Sequence, residues 1–304
     1  MPIPTRLAAR REHLHGTFHR DNAAVLTVDP GAVVDFETLE VGWRTERVLP
    51  DRELARIVSR GQLDDGPALT GPVAVRGARP GQTLEIRMLE LVTEDWGWTS
   101  AHLAQGSAGL FWSIAHGRAT NQFGHQIEVA PFLGTVGIAS RDRERRPGWW
   151  PHPRTGGNLD CNLLTVGSRL FLPIEVEGAL LSVGDGHAAQ GDGEVSGTAI
   201  ECPMRSARLQ LVLHDQSIGR PRALASGAWV TFGLAESLDE AANMAVEEMM
   251  ALMEEKMALD RPRAMALASS FVDLRVTQMV NPLKGIHAIL KTSLINEGAV
   301  PVDG

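Results

Sequence analysis

Tyrosine is absent from the 304 residues, and the only lysines are Lys256, Lys284 and Lys291. Acid catalysis by a phenol is therefore excluded, and lysine chemistry is confined to the C-terminal region. Cysteine is nearly absent too: Cys161 and Cys202 provide no disulfide framework and fit a reducing compartment. No G-x-S-x-G elbow occurs, and no Gly/Ser-rich segment of the kind that carries a Ser-Ser-Lys nucleophile. Apolar runs are short. None approaches the length of about 20 residues that a membrane-spanning helix needs, and the N-terminus has no apolar core of secretory type. The expectation is a cytoplasmic protein with no membrane partner.

Basic charge is also scarce, with 29 Lys and Arg against 37 Asp and Glu, for a formal charge of -8. A nucleic-acid surface would need a basic face. The nearest candidate, Arg141 to Arg146, alternates sign through Asp142 and Glu144 and reads as a solvated loop, so nucleic acid is not an expected partner. With 43% hydrophobic residues the chain has the composition of an ordinary folded protein with a sizeable core.

What is present is mainly β pattern. From about residue 23 to 139, short apolar runs alternate with turn signals such as Asp29-Pro30-Gly31 and Arg79-Pro80-Gly81. Residues 83–91 and 208–213 alternate apolar with polar side chains, the period of a strand with one wet face. Residues 170–174 and 179–183 read as apolar strands, the second running directly into Gly184-Asp185-Gly186-His187. One helix is expected, opened by a capping box at Ser237 and Glu240 and continuing to about Leu259, where Arg261-Pro262 ends it. Its methionines, Met244, Met249, Met250, Met253 and Met257, read as core or subunit contact. Residues 271–280 predict a further strand, and the tail after Asn281 predicts mixed loop and short helix.

The densest chemistry lies between Gly156 and Glu201. Asn158, Asp160, Asp185, His187, Gln190, Asp192, Glu194 and Glu201 fall there among small and apolar residues. From Leu170 to Ile200 there is no basic residue other than His187. Carboxylates gathered without counter-charge repel and take up protons unless a cation sits among them, and a divalent metal answers that need. Imidazole with carboxylate oxygens suits zinc, and also manganese or iron, whereas an all-oxygen set would favour calcium or magnesium. Asp185 and His187, one residue apart on an extended strand end, point to the same side and can reach one ion, with Asp160 arriving from a neighbouring segment. Each residue also has a structural reading: Asp185 and Asp192 as turn closers, His187 as a hydrogen-bonded interior histidine, Glu194 and Glu201 as solvent-facing strand residues.

The strings GGNLD at 156–160 and VGDGHAAQGDGEVSGTAIE at 183–201 resemble signature segments of the acetamidase/formamidase family, whose members hydrolyse short amides. LTVDPGAVVDFET at 26–38, LTGPVAVRGARPGQTLEIRML at 69–89, PFLGTVGIAS at 131–140 and DLRVTQMVN at 273–281 extend the likeness over nearly the whole chain. It implies a β-rich sandwich or barrel core with a C-terminal helix, arranged as one domain over 1–304 or subdivided at 140. It also implies a bound divalent metal, zinc first and calcium, manganese or iron as alternatives, and a homo-oligomer. Two stretches depart from the family's text: His13, His15 and His19 near the N-terminus, and residues 95–117 with Trp96, Trp98, Phe111 and Trp112.

On this reading Asp160, Asp185 and His187 hold the metal, Glu194 or Glu201 moves the proton of the attacking water, and Asn158 and Gln190 hydrogen-bond the amide or its oxyanion. The product is a carboxylic acid with ammonia or an amine. Two alternatives stand beside it. One is a thiol amidase with Cys161 as nucleophile, assisted by Glu194 and His187. The other is a non-catalytic β protein that binds a metal or small ligand.

Overall fold

A computed structural model describes residues 4–47, 57–62 and 64–295. Two sheets dominate it. The larger has nine strands in the order Thr5–Leu7, Val33–Phe36, Met204–His214, Thr83–Thr93, Arg169–Pro173, Arg222–Ala225, Ala228–Ala235, Lys284–Lys291 and Val272–Gln278. The first pair is parallel and the others are antiparallel. The second runs Gly156–Asn158, Phe132–Gly137, Leu181–His187, Leu69–Val75 and Leu14–His15, with Leu26–Val28 added in parallel to Leu69–Val75.

The alternating segments behave as their period requires. In Thr83–Thr93 and Met204–His214 the side chains of Ile86, Met88, Ala207, Leu209 and Leu211 are buried. They join Val73, Leu133, Val136, Leu181 and Val183 of the second sheet in one contiguous core between the two. Burial of such side chains is the main stabilising term, at about 1.5–3 kcal/mol each. A four-stranded sheet adjoins this core through Ile114, Ala119 and Trp112: Trp96–Leu103 and Gly106–Ala115 form a hairpin, continued by Arg118–Asn121 and Gln126–Glu128.

Helix α1, Leu238–Met257, starts where the capping box placed it, with Ser237 Oγ accepting from Glu240 N at 3.2 Å. It lies on the strands Ala228–Ala235 and Lys284–Lys291, burying Met249, Met250, Leu252 and Met253 against Ile286, Ala288 and Leu290. The close approach needs glycine at 233, where a Cβ would collide with the carbonyl oxygen of Ala241.

Three expectations are corrected. Arg261-Pro262 does not simply end a helix; it opens a second one, α2, Arg261–Phe271, capped by Asp260, because proline costs nothing in a first turn whose N–H groups have no helical partner. The segment after Asn281 is not loop and short helix alone: Lys284–Lys291 is a central strand, followed by a single 3-10 turn at Thr292–Leu294. Residues 296–304 lie outside the described residues. Finally, the Arg141–Arg146 loop is solvated except at its end, where the Arg146 guanidinium is shielded from solvent over the ring of Phe18. Among the described residues no helix is long and apolar enough to cross a membrane.

Candidate metal and catalytic centre

Strand Phe132–Gly137 is flanked by Gly156–Asn158 on one side and Leu181–His187 on the other. Asp185 and His187 belong to the second flank, and Asp160 follows the first, its backbone N–H donating to Gly134 O at 3.0 Å. Glu201 is drawn in by short bridges to His187 and Trp98. Glu194 sits in a turn tied to the chain near Gln278 through Gly193.

All five side chains are withdrawn from water: Asp160 is 1% exposed, Asp185 5%, His187 1%, Glu194 7% and Glu201 2%. One ligand-type atom from each of Asp160, Asp185 and His187 lies within 4.8 Å of the others, and the same holds for His187, Glu194 and Glu201. The imidazole joins the two groups. Its Nε2 is 3.3 Å from Asp185 Oδ1 and 3.2 Å from Glu201 Oε2. Neither contact has hydrogen-bond geometry, so Nε2, Glu201 Oε2 and Asp160 Oδ1 are buried polar atoms without a partner. Buried orphans of this kind are costly. The orphans fall in two adjoining donor groups that share the His187 imidazole, Asp160 with Asp185 and Glu201 with Glu194, and donor groups of this kind fit a cation.

Neighbours fix these donors in place. His187 Nδ1 lies 3.0 Å from Gln190 Oε1, which can only accept; the proton is therefore on Nδ1 and, in the neutral ring, Nε2 keeps its lone pair. Gln190 Nε2 donates to Asp160 O at 2.8 Å, so its amide spans the two metal-type residues. Asn281 Nδ2 donates to Asp160 Oδ2 at 2.8 Å, leaving Oδ1 free. Thr135 Oγ1 is 2.5 Å from Asn158 Oδ1 and 3.3 Å from Asp185 Oδ2. The edge of Phe132 packs on the His187 ring, with centroids 5.0 Å apart.

The backbone is also unusual here. Asp160, Asp185 and Glu194 all have positive φ, at 51°, 57° and 46°. Such conformations cost a non-glycine residue on the order of 1 kcal/mol and persist where surrounding structure imposes them, often at functional sites. Asp185 therefore does not reach the cluster by the simple alternation of an extended strand. Gly186 beside it is required by crowding, since a Cβ there would lie 2.5 Å from Cys202 O. Gly134 leaves room for the site itself: its Cβ would stand 2.7 Å from Asp160 Oδ1 and 2.8 Å from both Asp185 Oδ2 and His187 Cε1.

Electrostatics follow from four carboxyl groups sharing one imidazole. Among the described residues no Lys or Arg forms an ion pair with any of the four. Burial, and then the Asp185 charge, push Asp160 up to about 8. Burial and the Asp160 charge push Glu194 up to about 10, and burial holds Glu201 at about 7 despite the attraction of His187. Burial opposes charge on His187 as well, but Glu201 and Asp185 outweigh it and raise its pKa well above the ordinary value. Asp185 resists burial through the His187 charge, the close polar contacts of His187 and Glu201 and the Thr135 hydroxyl, and its pKa falls. Without a bound cation the cluster thus holds protons that a divalent ion would displace.

Asp160, Asp185, His187, Glu194 and Glu201 are thus brought together; Gln190 contacts the cluster directly, whereas Asn158 reaches it only through Thr135 and turns its amide nitrogen to Trp149 O. Asp192 stands outside it, accepting from Asn162 Nδ2 at 2.9 Å. The N-terminal histidines bond elsewhere: His13 to Ala8 O, His15 to Thr17 O and Ser182 Oγ, His19 to Arg143 O. Cys161 is fully buried, and burial pushes its thiol up to about 12, so a thiolate nucleophile is not available near neutrality. Gly134, Thr135 and Asn281 were not anticipated; they lie within strings that carried the family resemblance, but no spacing rule singles them out.

The profile of the Acetamidase/Formamidase family matches residues 3–140 and 146–217. An acetamidase from Mycolicibacterium smegmatis is 25% identical over 254 residues, covering 60% of this chain and 61% of that protein. A formamidase from Methylophilus methylotrophus is 23% identical over 245 residues, 60% of each chain. The chain thus spans about three-fifths of the length of these curated relatives. The crystal structure of an acetamidase from Bacillus halodurans superposes with a TM-score of 0.87 at 28% identity, covering 97% of this chain and all of that one.

Proposed function

We propose that this chain, which belongs to the acetamidase/formamidase family, hydrolyses a small amide to a carboxylic acid and ammonia or an amine with the aid of a divalent metal. The observation that carries the reading is the gathering of Asp160, Asp185 and His187, with Asp160 Oδ1 and His187 Nε2 buried and unpartnered, over a floor from which Gly134 withholds a side chain. Asp160, Asp185 and His187 would hold the ion, with Glu201 Oε2 3.2 Å from His187 Nε2. The mixed nitrogen and oxygen donors suit zinc first, with manganese, iron or calcium as the alternatives. When bound, such an ion supplies Lewis-acid polarisation of the amide carbonyl and acidifies water.

The chain's own groups supply the proton traffic. Water oxygen adds to the carbonyl carbon, its proton passes to Glu194 when that group is ionised, and the same proton is returned to the amide nitrogen as the C–N bond breaks. Glu194 suits the task because it is the cluster member that also lines an adjoining cavity. Gln190 holds the His187 tautomer and Asn281 turns Asp160, so both act through the residues they position. Family membership also supports a homo-oligomer. Leu103 and Phe123, 70% and 68% exposed around the four-stranded sheet, are apolar surface that a second copy would cover.

The test is metal analysis of the purified protein, followed by ammonia release from formamide, acetamide, propionamide and a γ-lactam before and after chelation. Loss on chelation and recovery with zinc are expected. Full activity in a metal-free preparation would falsify the metal-dependent mechanism.

A further inference from the structure

Beside the cluster lies a cavity of about 250 Å³, whose lining includes Glu194 and Gln190 and which therefore opens onto the site. Its other walls come from the departing 95–117 stretch, from strand Gln126–Glu128 and from the segments around the cluster. Trp112 and Ile127 face Ala189, Ala199 and Ile200 across it.

The polar groups in the wall are already engaged. Thr99 Oγ1 donates to Ala199 O at 2.7 Å and accepts from Trp112 Nε1 at 3.0 Å, which fixes the indole. Thr198 Oγ1 donates to Ser100 O at 3.0 Å and accepts from Ser100 N at 2.9 Å. Asp192 is held by Asn162, and the Gln190 amide is shared between His187 and Asp160. Ser196 Oγ donates to Thr198 O at 3.2 Å and Asp192 Oδ2 lies 3.8 Å from Arg275, so that apart from the Glu194 and Asp192 carboxylates the wall offers mainly carbon to an occupant.

Its size matters as much as its chemistry. At roughly 30 Å³ per water in the liquid, the space equals on the order of eight waters. Formamide or acetamide would leave most of the apolar wall facing water. A larger hydrocarbon group would cover it, and an apolar wall rewards each added methylene.

Building on the proposed amide hydrolysis, we propose that the preferred substrates are primary amides with a medium-sized apolar acyl group, aliphatic or aromatic, and that Trp112, steadied by Thr99, is a specificity-determining residue. The acyl chain lies along Trp112, Ile127 and Ile200, and the scissile carbonyl lies at the Glu194 end.

The experiment is a series of kcat/KM values for the metal-loaded enzyme with formamide, acetamide, butyramide, hexanamide and benzamide, with succinamic acid as a polar control. The expected result is a rise of about fourfold per methylene from acetamide to butyramide. Benzamide should exceed acetamide, and succinamic acid should gain nothing from its length. Trp112→Ala should lower kcat/KM for benzamide about tenfold more than for acetamide. Ile127→Ala, at a half-exposed position where folding is not at stake, should lower the butyramide-to-acetamide ratio in the same direction. A series that is flat or falls from formamide upward overturns the inference while leaving amide hydrolysis standing. Ratios unchanged in both variants remove Trp112 and Ile127 from specificity. Absence of ammonia from every amide defeats the underlying reading instead.

Discussion

A methyl group added at Gly134 would stand 2.7–2.8 Å from Asp160 Oδ1, Asp185 Oδ2 and His187 Cε1, inside the space a cation would occupy. Gly134→Ala is therefore expected to fold, because the change is one methyl, yet to lose most of its bound metal and at least about 100-fold in turnover. Metal content and circular dichroism measured on the same sample check this; a variant that keeps its metal would show that the site lies elsewhere. Asn281→Leu and Gln190→Leu remove the groups that orient Asp160 and His187, and each should weaken metal affinity about 10–100-fold, read by competition with a chelator. The acidic residues were legible in the chain because a stretch without Lys or Arg that holds Asp185, Glu194 and Glu201 around His187 is electrostatically anomalous. Gly134, Thr135 and Asn281 were not, since a missing side chain, a hydroxyl and an amide carry no anomaly until folding brings the hydroxyl and the amide within 3.3 Å of the carboxylates and leaves no room for a Cβ at 134. Gln190 was legible as a neighbour of the site, while the partners of its amide emerge only from the fold.

Helix α1 was readable from its ends. Ser237 caps it through Glu240 N, and Ser237→Ala should cost about 1 kcal/mol, seen as a fall of a few degrees in Tm. At the other end Ala258 adopts φ 52°, a left-handed conformation that a Cβ disfavours. Ala258→Gly should raise stability by about 0.5–1 kcal/mol, and a fall would mean that the added freedom of the unfolded chain outweighs the relief of strain. Strand Lys284–Lys291 is not legible in the sequence for a physical reason. Its residues are buried on both faces, with Ile286, Ala288 and Leu290 under α1 and His287 buried opposite, so the alternation that marks a half-wet strand is absent. Its identity comes from pairing with Ala228–Ala235, about fifty to sixty residues away in sequence. Helix α2 was hidden by a proline that reads equally well as a stop or as a first-turn residue.

The two-sheet core and the buried cluster together make stability depend on pH in a definite direction. Asp160, Glu194 and Glu201, raised to about 8, 10 and 7, and His187, raised well above its ordinary value, all hold protons more tightly folded than unfolded. Their contribution is complete at low pH and is lost as pH climbs through the folded values. His15 and His287, lowered to about 4 by burial, act in the opposite sense, but chiefly between about pH 4 and their ordinary value near 6.5. From pH 7 to 9 the cluster decides the sign. The metal-free protein should therefore lose several degrees of Tm across that window, and zinc should restore more at pH 9 than at pH 7. A metal-free Tm that rises from pH 7 to 9 would mean that these carboxyl groups are not gathered as described.

The most direct measurement of the central claim is anomalous diffraction at the zinc edge from crystals grown with zinc. A peak is expected at about 2.0–2.2 Å from His187 Nε2, with Asp160 and Asp185 or Glu201 oxygens completing its ligands and Gly134 beneath it. A crystal with no peak there, its carboxylates turned away from His187 and the amidase nonetheless active, would contradict the account.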